Sequence, residues 1–349
     1  MASLNIARII GTVLLVIAIL DFAAAQPKTL NDLARYTGAD RERLLYQGAQ
    51  KEGKLVWYTT LTVHKELAKV FQAKYRGVAV EVYRGPGTTV ATKLLQESQA
   101  KRFIADTIET PFPTLLFLRE NNLLFPFTSP HLAKYPENAK DNASSGMVYT
   151  ALYRESYTGV VYNTKLIRDA DVPKKFDDLL KPALKGKMGL PNAESALRGV
   201  GAIVTAKGEN FLKSLAGQGI KQYSMGALGL TDLIVTGELP LMLTGFKSNA
   251  DLAASKGAPI AWAPMELVAT NAGGAAVVAN APHPHAALLF VDVLISPEGQ
   301  KVMAEQFGYG SAAKEYGFKK WYPEQGLSYQ KYEELTEKWQ KQLAELVRK

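Results

Sequence analysis

The segment Lys54-Leu-Val-Trp-Tyr58 and the loop Thr59-Thr-Leu-Thr62 after it establish the architectural pattern of this chain. A short, mostly apolar run that ends at hydroxyl-bearing residues predicts a buried strand followed by a loop. Apolar residues then recur at the spacing of one helix face: Val63, Leu67, Val70 and Phe71. We therefore expect a strand–loop–helix unit, in which threonines before the helix act as N-caps.

Two more units of the same kind follow along the chain. Residues 78–83 predict a strand that leads into Arg84-Gly-Pro-Gly87 and a helix. Residues 103–108 predict a third strand, which leads into Glu109-Thr-Pro111 and another helix. Strands that alternate with helices are typical of a parallel sheet wound in βαβ units. The fold class predicted is therefore α/β.

A second series of strands and helices begins near Met147. It includes predicted strands at residues 188–190 and 239–243, and a late strand returns at 274–279. Two wound series and a returning strand predict two lobes, which suits a chain of this length.

The first residues of the chain carry a targeting signal. Arg8 precedes an apolar run over residues 9–20, and Ala23-Ala-Ala-Gln26 has the small residues of a cleavage site. The pattern predicts a cleaved signal peptide over residues 1–25 and export to the periplasm. An uncleaved amphipathic anchor is the alternative. Removing 25 of the 349 residues leaves 324 for the mature protein.

Composition excludes several classes of function. The net charge is +8, but the basic residues are interleaved with acidic ones, most clearly over residues 314–349. A nucleic-acid-binding protein concentrates its Lys and Arg on one face, so we reject that class. The chain has no cysteine, which excludes thiol catalysis, zinc fingers and iron–sulfur clusters.

No enzymatic motif is complete. The chain lacks a G-x-S-x-G elbow, and Gly48-Ala-Gln-Lys-Glu-Gly53-Lys-Leu55 has Leu55 where a phosphate-binding loop needs Ser or Thr. Gly85-Pro-Gly87 lacks the third glycine of a dinucleotide fingerprint. His283 and His285 alternate with prolines, unlike a helical zinc pair. We expect no enzyme, no cofactor and no metal site.

The order of segments resembles the periplasmic solute-binding proteins of ABC importers. The similarity is strongest to the ferric-type family, whose members bind iron(III), phosphonates, thiamine, polyamines or sugar phosphates. The motifs that carry it span nearly the whole mature chain: Glu52-Gly-Lys-Leu-Val-Trp-Tyr58, Tyr157-Thr-Gly-Val-Val-Tyr-Asn-Thr164, Phe176-Asp-Asp-Leu-Leu180, Lys185-Gly-Lys-Met-Gly-Leu-Pro-Asn192, Lys256-Gly-Ala-Pro259, Ala281-Pro-His-Pro-His-Ala286 and Ser296-Pro-Glu-Gly-Gln300.

The resemblance implies a two-lobed, type II periplasmic-binding-protein fold, with two parallel-core sheets wrapped by helices and a two-strand hinge. Lobe 1 would hold residues 26–152 plus 268–349, and lobe 2 residues 158–263. The hinges would lie at about 153–157 and 265–271. It further implies a monomer that binds a small molecule and delivers it to an inner-membrane ABC permease.

Ligands of such folds bind at the carboxyl ends of strands, where hydroxyls and helix N-termini favour an anion and arginines add charge. Phe246 or Tyr58 would pack any apolar part of the ligand. The resulting ligand-binding candidates are Tyr58, Thr59, Thr60, Arg84, Thr88, Thr89, Glu109, Thr110, Arg154, Tyr157, Asn192, Ser195, Arg198, Thr244, Phe246 and Asn271.

The identity of the ligand depends on one departure from the family pattern. Ferric-binding members place two adjacent tyrosines after the strand equivalent to residues 239–243, whereas this chain has Thr244-Gly-Phe-Lys-Ser-Asn249 there. His64 and Glu109 lie near the family's remaining iron ligands but do not align with them. Because Fe³⁺ prefers anionic oxygen donors, we predict a small organic anion (a phosphonate, phosphate ester or carboxylate). Ferric iron binding, a sensor role and an exported enzyme are the alternatives.

Overall fold

A computed structural model describes residues 29–348. The predicted signal peptide over residues 1–25 lies outside these residues. The helices are α1 (Leu30–Arg35), α2 (Arg41–Glu52), α3 (His64–Lys74), α4 (Gly87–Gln99), α5 (Phe112–Glu120), α6 (Glu194–Lys207), α7 (Glu209–Ala216), α8 (Ala227–Thr236), α9 (Lys247–Ser255), α10 (Pro284–Ile295), α11 (Pro297–Phe307) and α12 (Tyr329–Leu346). None of these helices is long and apolar enough to cross a membrane.

The strands form a mixed sheet in the order β2-β1-β3-β11-β6-β9-β7-β8, with the shorter β4, β5, β10 and β12 beside the long strands. Their bounds are β1 (Lys54–Thr59), β2 (Ala79–Arg84), β3 (Thr107–Pro111), β4 (Leu124–Phe125), β5 (Lys140–Asn142), β6 (Val148–Asn163), β7 (Met188–Pro191), β8 (Lys221–Tyr223), β9 (Leu241–Phe246), β10 (Ile260–Ala263), β11 (Val268–Val278) and β12 (Lys320–Trp321).

The parallel strands fall into two groups, as the sequence predicts. β1 pairs in parallel with β2 and β3, while β7 pairs in parallel with β8 and β9. β1 is buried from Leu55 to Thr59, because a parallel sheet carries helices on both faces. The predicted α/β class with two wound series is confirmed.

Two long antiparallel strands join the groups. β6 pairs with β11 over most of its first half and with β9 near its end. β11 continues alongside β3. We call β6 and β11 the crossing strands. The hinges predicted at about 153–157 and 265–271 fall on or just before these strands, and their role as hinges stays a prediction.

Buried apolar residues form a first core around β1, β3 and α10 and a second core around β7, β9 and α6. A smaller cluster adjoins the second core at α8 and β9. The last helix, α12, contributes Tyr332, Trp339, Leu343 and Leu346 to the second core. The lobe boundaries stated above remain a prediction. They assign residues 268–349 to lobe 1, whereas α12 packs on the second core.

The His283–His285 segment forms the start of α10, each histidine beside one carboxylate. Asp106 accepts hydrogen bonds from the backbone N–H of His283 and lies 2.8 Å from its Nδ1. Glu52 accepts from the N–H groups of His285 and Ala286. Both acids therefore satisfy backbone donors that the first turn of a helix leaves free.

Candidate functional site

The carboxyl ends of both groups of parallel strands meet at the crossing strands. Pro111, the last residue of β3, lies opposite Gly273 on β11. Phe246, the last residue of β9, lies opposite Thr158 on β6. Ser156 on β6 and Asn271 on β11 are paired between these two points. Loops from both groups thus converge on one short stretch of the crossing strands, which we call the cleft floor.

The helices that begin at these carboxyl ends have no side-chain N-cap. The residues before α3, α4, α5, α6, α8 and α9 are Val63, Pro86, Pro111, Ala193, Gly226 and Phe246. The prediction that threonines cap the helices after β1, β2 and β3 is therefore wrong. By contrast, Thr29, Ser296 and Ser328 do cap α1, α11 and α12. Without a side-chain cap, the first turns of these helices can present backbone N–H groups to a bound anion, although that of Ala196 in α6 already donates to the carbonyl of Ala193.

Glu109 and Arg154 form a buried ion pair at the cleft floor, with 2.6 Å between Oε1 and Nε. The hydroxyl of Thr59 donates to Glu109 at 2.7 Å, and the N–H of Thr60 also donates to it. Burial alone would lower the pKa of the Arg154 guanidinium, but the charge and hydrogen bond of Glu109, together with the nearby hydroxyls of Tyr153 and Tyr309, outweigh burial and raise that pKa. Four predicted residues are therefore brought together, although Glu109 and Thr59 have no exposed side chain.

Four other predicted residues bury a polar atom that has no hydrogen-bond partner among the described residues. These atoms are Thr110 Oγ1, Ser195 Oγ, Thr244 Oγ1 and Asn271 Oδ1. Ser195 and Thr244 come from adjacent elements, because a Cβ at Gly199, one turn after Ser195, would lie 2.2 Å from Thr244 Cγ2. A buried polar atom without a partner costs free energy. These four atoms are therefore available to a ligand or to ordered water.

A cavity of about 320 Å³ opens beside the cleft floor. It is bounded by β6, by the start of α9 and by the segment after α11. Most residues that line this cavity could not be predicted from the sequence. No recognisable motif marks Tyr309 or Lys247, for example. The lining includes Ser156, Tyr157, Lys247, Ser248, Tyr309 and Tyr316.

Three predicted residues use their polar groups within the protein. The hydroxyl of Tyr58 donates to both oxygens of buried Glu97 at 2.9 Å, and that of Tyr157 donates to Glu155 at 2.5 Å. Arg198 is 1% exposed and pairs with Glu324 and Glu194. Tyr58 therefore belongs to the first core, and we do not retain it as a surface that packs a ligand.

The remaining predicted residues lie at the rim. Arg84, Thr88, Thr89 and Asn192 are exposed, and Phe246 is half-buried. Arg84 ends β2, and the two threonines lie in the first turn of α4. These rim residues can contact a ligand only if the ligand extends to the rim or if the two groups of strands approach each other.

The described residues contain no group of three or more His, Asp or Glu side chains positioned to hold a metal ion. His64 Nδ1 lies 2.8 Å from the carbonyl oxygen of Leu61, and Glu109 is paired with Arg154. Phe246 and Lys247 occupy the end of β9 and the start of α9. Neither the phenyl ring of Phe246 nor the ammonium of Lys247 is an anionic oxygen donor, so this position does not supply a pair of anionic metal ligands.

Comparisons with known proteins identify the family. The model of the bacterial extracellular solute-binding proteins matches residues 66–335, and the chain belongs to this family. An uncharacterized protein of Haemophilus influenzae is 26% identical over 273 residues, which are 74% of this chain and 77% of that protein.

Solved structures share the fold. Iron-bound HitA from Pseudomonas aeruginosa has a TM-score of 0.66 and 22% identity, over 82% of this chain and 99% of its own. AfuA from Actinobacillus pleuropneumoniae, with fructose-6-phosphate bound, has a TM-score of 0.61 and 23% identity, over 84% and 99%. As a member of this family, the chain is a solute-binding protein that takes a small-molecule ligand. It is a binding protein rather than an enzyme.

Proposed function

We propose that this protein captures a small anionic solute at the cleft floor and releases it to an inner-membrane permease. The observation that carries the proposal is the set of uncapped helix starts from both groups of strands, found next to buried polar atoms without partners. Helix N-termini carry partial positive charge and free N–H donors, so they favour a phosphate, phosphonate or carboxylate.

The charges near the cleft floor support an anion bound mainly by dipoles and hydrogen bonds. The carboxylate of Glu109 offsets Arg154, and Asp251 pairs with Lys247 at 2.5 Å. Arg84 is exposed and would meet a second charged group of the ligand at the rim. The cavity of about 320 Å³ has the size of a small-ligand site. Tyr309 lines this cavity and would offer apolar surface to the body of such a ligand. Phe246, at the end of β9, would do so from outside the lining.

Ferric iron remains the second candidate, because HitA is described as iron-bound. The end of β9 argues against bare Fe³⁺, since Phe246 and Lys247 stand there. AfuA, another structural neighbour, has a sugar phosphate bound. A sugar phosphate matches the anion-binding character of the helix starts.

Binding would couple to closure. A solute that contacts loops from both groups of strands favours the arrangement in which the groups approach each other. We further propose that the protein is a periplasmic monomer, exported through a cleaved signal peptide over residues 1–25. Membership in an extracellular family supports export.

A thermal-shift panel tests the proposal. The probes are inorganic phosphate, a hexose phosphate, a phosphonate, citrate, spermidine and Fe³⁺. An anion at about 100 times its Kd should stabilise the protein by about 2.7 kcal/mol, and Thr244→Val should abolish that gain. The control Thr236→Val alters an exposed threonine at the end of α8. Stabilisation by Fe³⁺ alone, or by spermidine alone, would contradict the anion proposal.

A further inference from the structure

Besides β6 and β11, the chain passes a third time between the two cores, through residues 308–328. This segment leaves α11, which packs on the first core through Met303. Gly310 and Glu155 exchange two backbone hydrogen bonds of 2.8 and 3.0 Å. β12 then pairs with the start of β11, and α12 packs on the second core. Any rotation of one core relative to the other must therefore move this third connection as well.

One buried carboxylate joins β6 to the third connection. The Glu155 side chain is closed to solvent, and it accepts hydrogen bonds from Tyr157 at 2.5 Å, from Lys320 at 3.2 Å and from the hydroxyl of Tyr322. Tyr157 belongs to β6, whereas Lys320 and Tyr322 belong to the third connection. A buried carboxylate is costly unless it is paired and hydrogen-bonded. The two connections are thus held in one geometry.

Lys320 also fixes the loop that precedes it. Its ammonium donates to the backbone carbonyls of Ser311, Ala312 and Lys314 at 3.2 to 3.4 Å. The side chain is only 10% exposed, so water does not readily replace these partners. Loss of the Lys320 charge would therefore free both Glu155 and the loop around it.

Aromatic rings extend the contact toward β10 and the smaller cluster that adjoins the second core. The Tyr157 ring lies 4.9 Å from Tyr316 and 5.0 Å from Phe318. Phe318 in turn lies 5.5 Å from Trp262 on β10. These rings cover the face of β6 to which Glu155 points. Arg154 and Ser156 alternate with Glu155 and Tyr157 along the strand, and Glu155, Ser156, Tyr157 and Tyr316 all border the cavity beside the cleft floor.

We propose that Glu155 is a positioning residue of the binding site. By tying β6 to the third connection, it keeps Arg154 and Ser156 directed at the cleft floor and sets the relative orientation of the two cores. The inference depends on the proposed function in one respect: it takes Arg154 and Ser156 as part of the ligand-binding cleft.

The test measures the distance between the cores without any ligand. The chain has no cysteine, so spin labels can be placed at Lys69→Cys on α3 and Asp232→Cys on α8, both exposed. We expect Glu155→Gln and Lys320→Met to broaden and shift the distance distribution measured by pulsed electron paramagnetic resonance. Distributions identical to wild type in folded variants would overturn the inference.

A control variant distinguishes an effect on the relative orientation of the two cores from a general loss of stability. Asp292→Asn breaks the buried pair with Arg41 inside the first core, so it should lower the melting temperature and leave the distance distribution narrow. If Glu155→Gln does not fold, Tyr322→Phe, which removes one hydroxyl from the carboxylate, decides the question by the same measurement. Because no ligand is present, failure of the anion panel would not affect this result.

Discussion

Glu109 on β3 and Arg154 on β6 place opposite charges 2.6 Å apart beneath the cleft, with almost no exposure of either side chain. The Arg154 guanidinium also lies 5.7 Å from the centre of the Tyr309 ring. Each residue was expected to face a ligand, but they are first of all partners of each other. This pair spans β11, which lies between β3 and β6, and joins one crossing strand to the parallel strands of the first group.

The pairing changes what the loss of Arg154 should do. From the sequence, Arg154→Ala is expected to weaken binding with little loss of stability. The structure instead predicts that Arg154→Met or Glu109→Gln lowers the free energy of unfolding by about 3–5 kcal/mol, because each leaves a buried charge alone. The double variant should lose less than the sum of the two single variants. Urea unfolding checks this, and additive losses would contradict it.

The start of α10 depends on Glu52. Its carboxylate accepts from the N–H groups of His285 at 3.1 Å and Ala286 at 2.9 Å. Glu52→Ala should lower the free energy of unfolding by about 1–2 kcal/mol, as loss of a helix cap does. Glu81→Ala, which removes a largely exposed partner of Lys54, is the control and should cost little. Equal losses in urea unfolding would refute the capping role.

His131 should make the protein sensitive to acid. Burial lowers its pKa below the ordinary 6.5, although Asp292 and Glu42 oppose this while Arg41 and Lys134 add to it. Between the two pKa values the unfolded chain binds more protons, so stability falls as the pH drops below about 6.5. His131→Gln should flatten the unfolding free energy between about pH 7 and about pH 5. An unchanged pH profile would show that His131 does not contribute.

The contact between α6 and α12 needs a glycine. A Cβ at Gly201 would lie 2.6 Å from the Trp339 indole, whereas one at Gly226 meets nothing within 4 Å. Gly201→Val should therefore displace α12 and quench or shift the tryptophan fluorescence, with a loss of about 1–3 kcal/mol from overpacking. Gly226→Ala should change neither quantity by much. A native spectrum and stability for Gly201→Val would contradict this packing.

Much of the fold could be predicted because its signals are local. Runs such as Leu55–Tyr58 and helix spacing such as Leu67–Phe71 predicted the elements, and their alternation predicted the parallel sheets. The first and last residues of individual strands were harder to predict. β3 was expected at 103–108 but spans Thr107–Pro111, since Phe103 is exposed and the strand follows its partners β1 and β11 instead.

The cleft was only partly predictable from the sequence. Ser195 and Thr244 were predicted from the rule that ligands bind at strand ends, and Asn271 from its place at the second predicted hinge. Tyr309 and Glu155 do not, because they act through segments far apart in the chain, and no local pattern shows which partners they meet. Tyr58 and Arg198 were chosen by residue type, but their partners Glu97 and Glu324 lie 39 and 126 positions away.

The central claim is that a small anion binds between the two groups of strands, and native mass spectrometry of the protein purified from its own host tests it most directly. We expect one acidic small molecule per chain, lost in a Ser195→Ala, Thr244→Val double variant that remains folded. A host-purified protein that carries Fe³⁺ or a cationic solute, or a solute retained equally by the double variant, would contradict it.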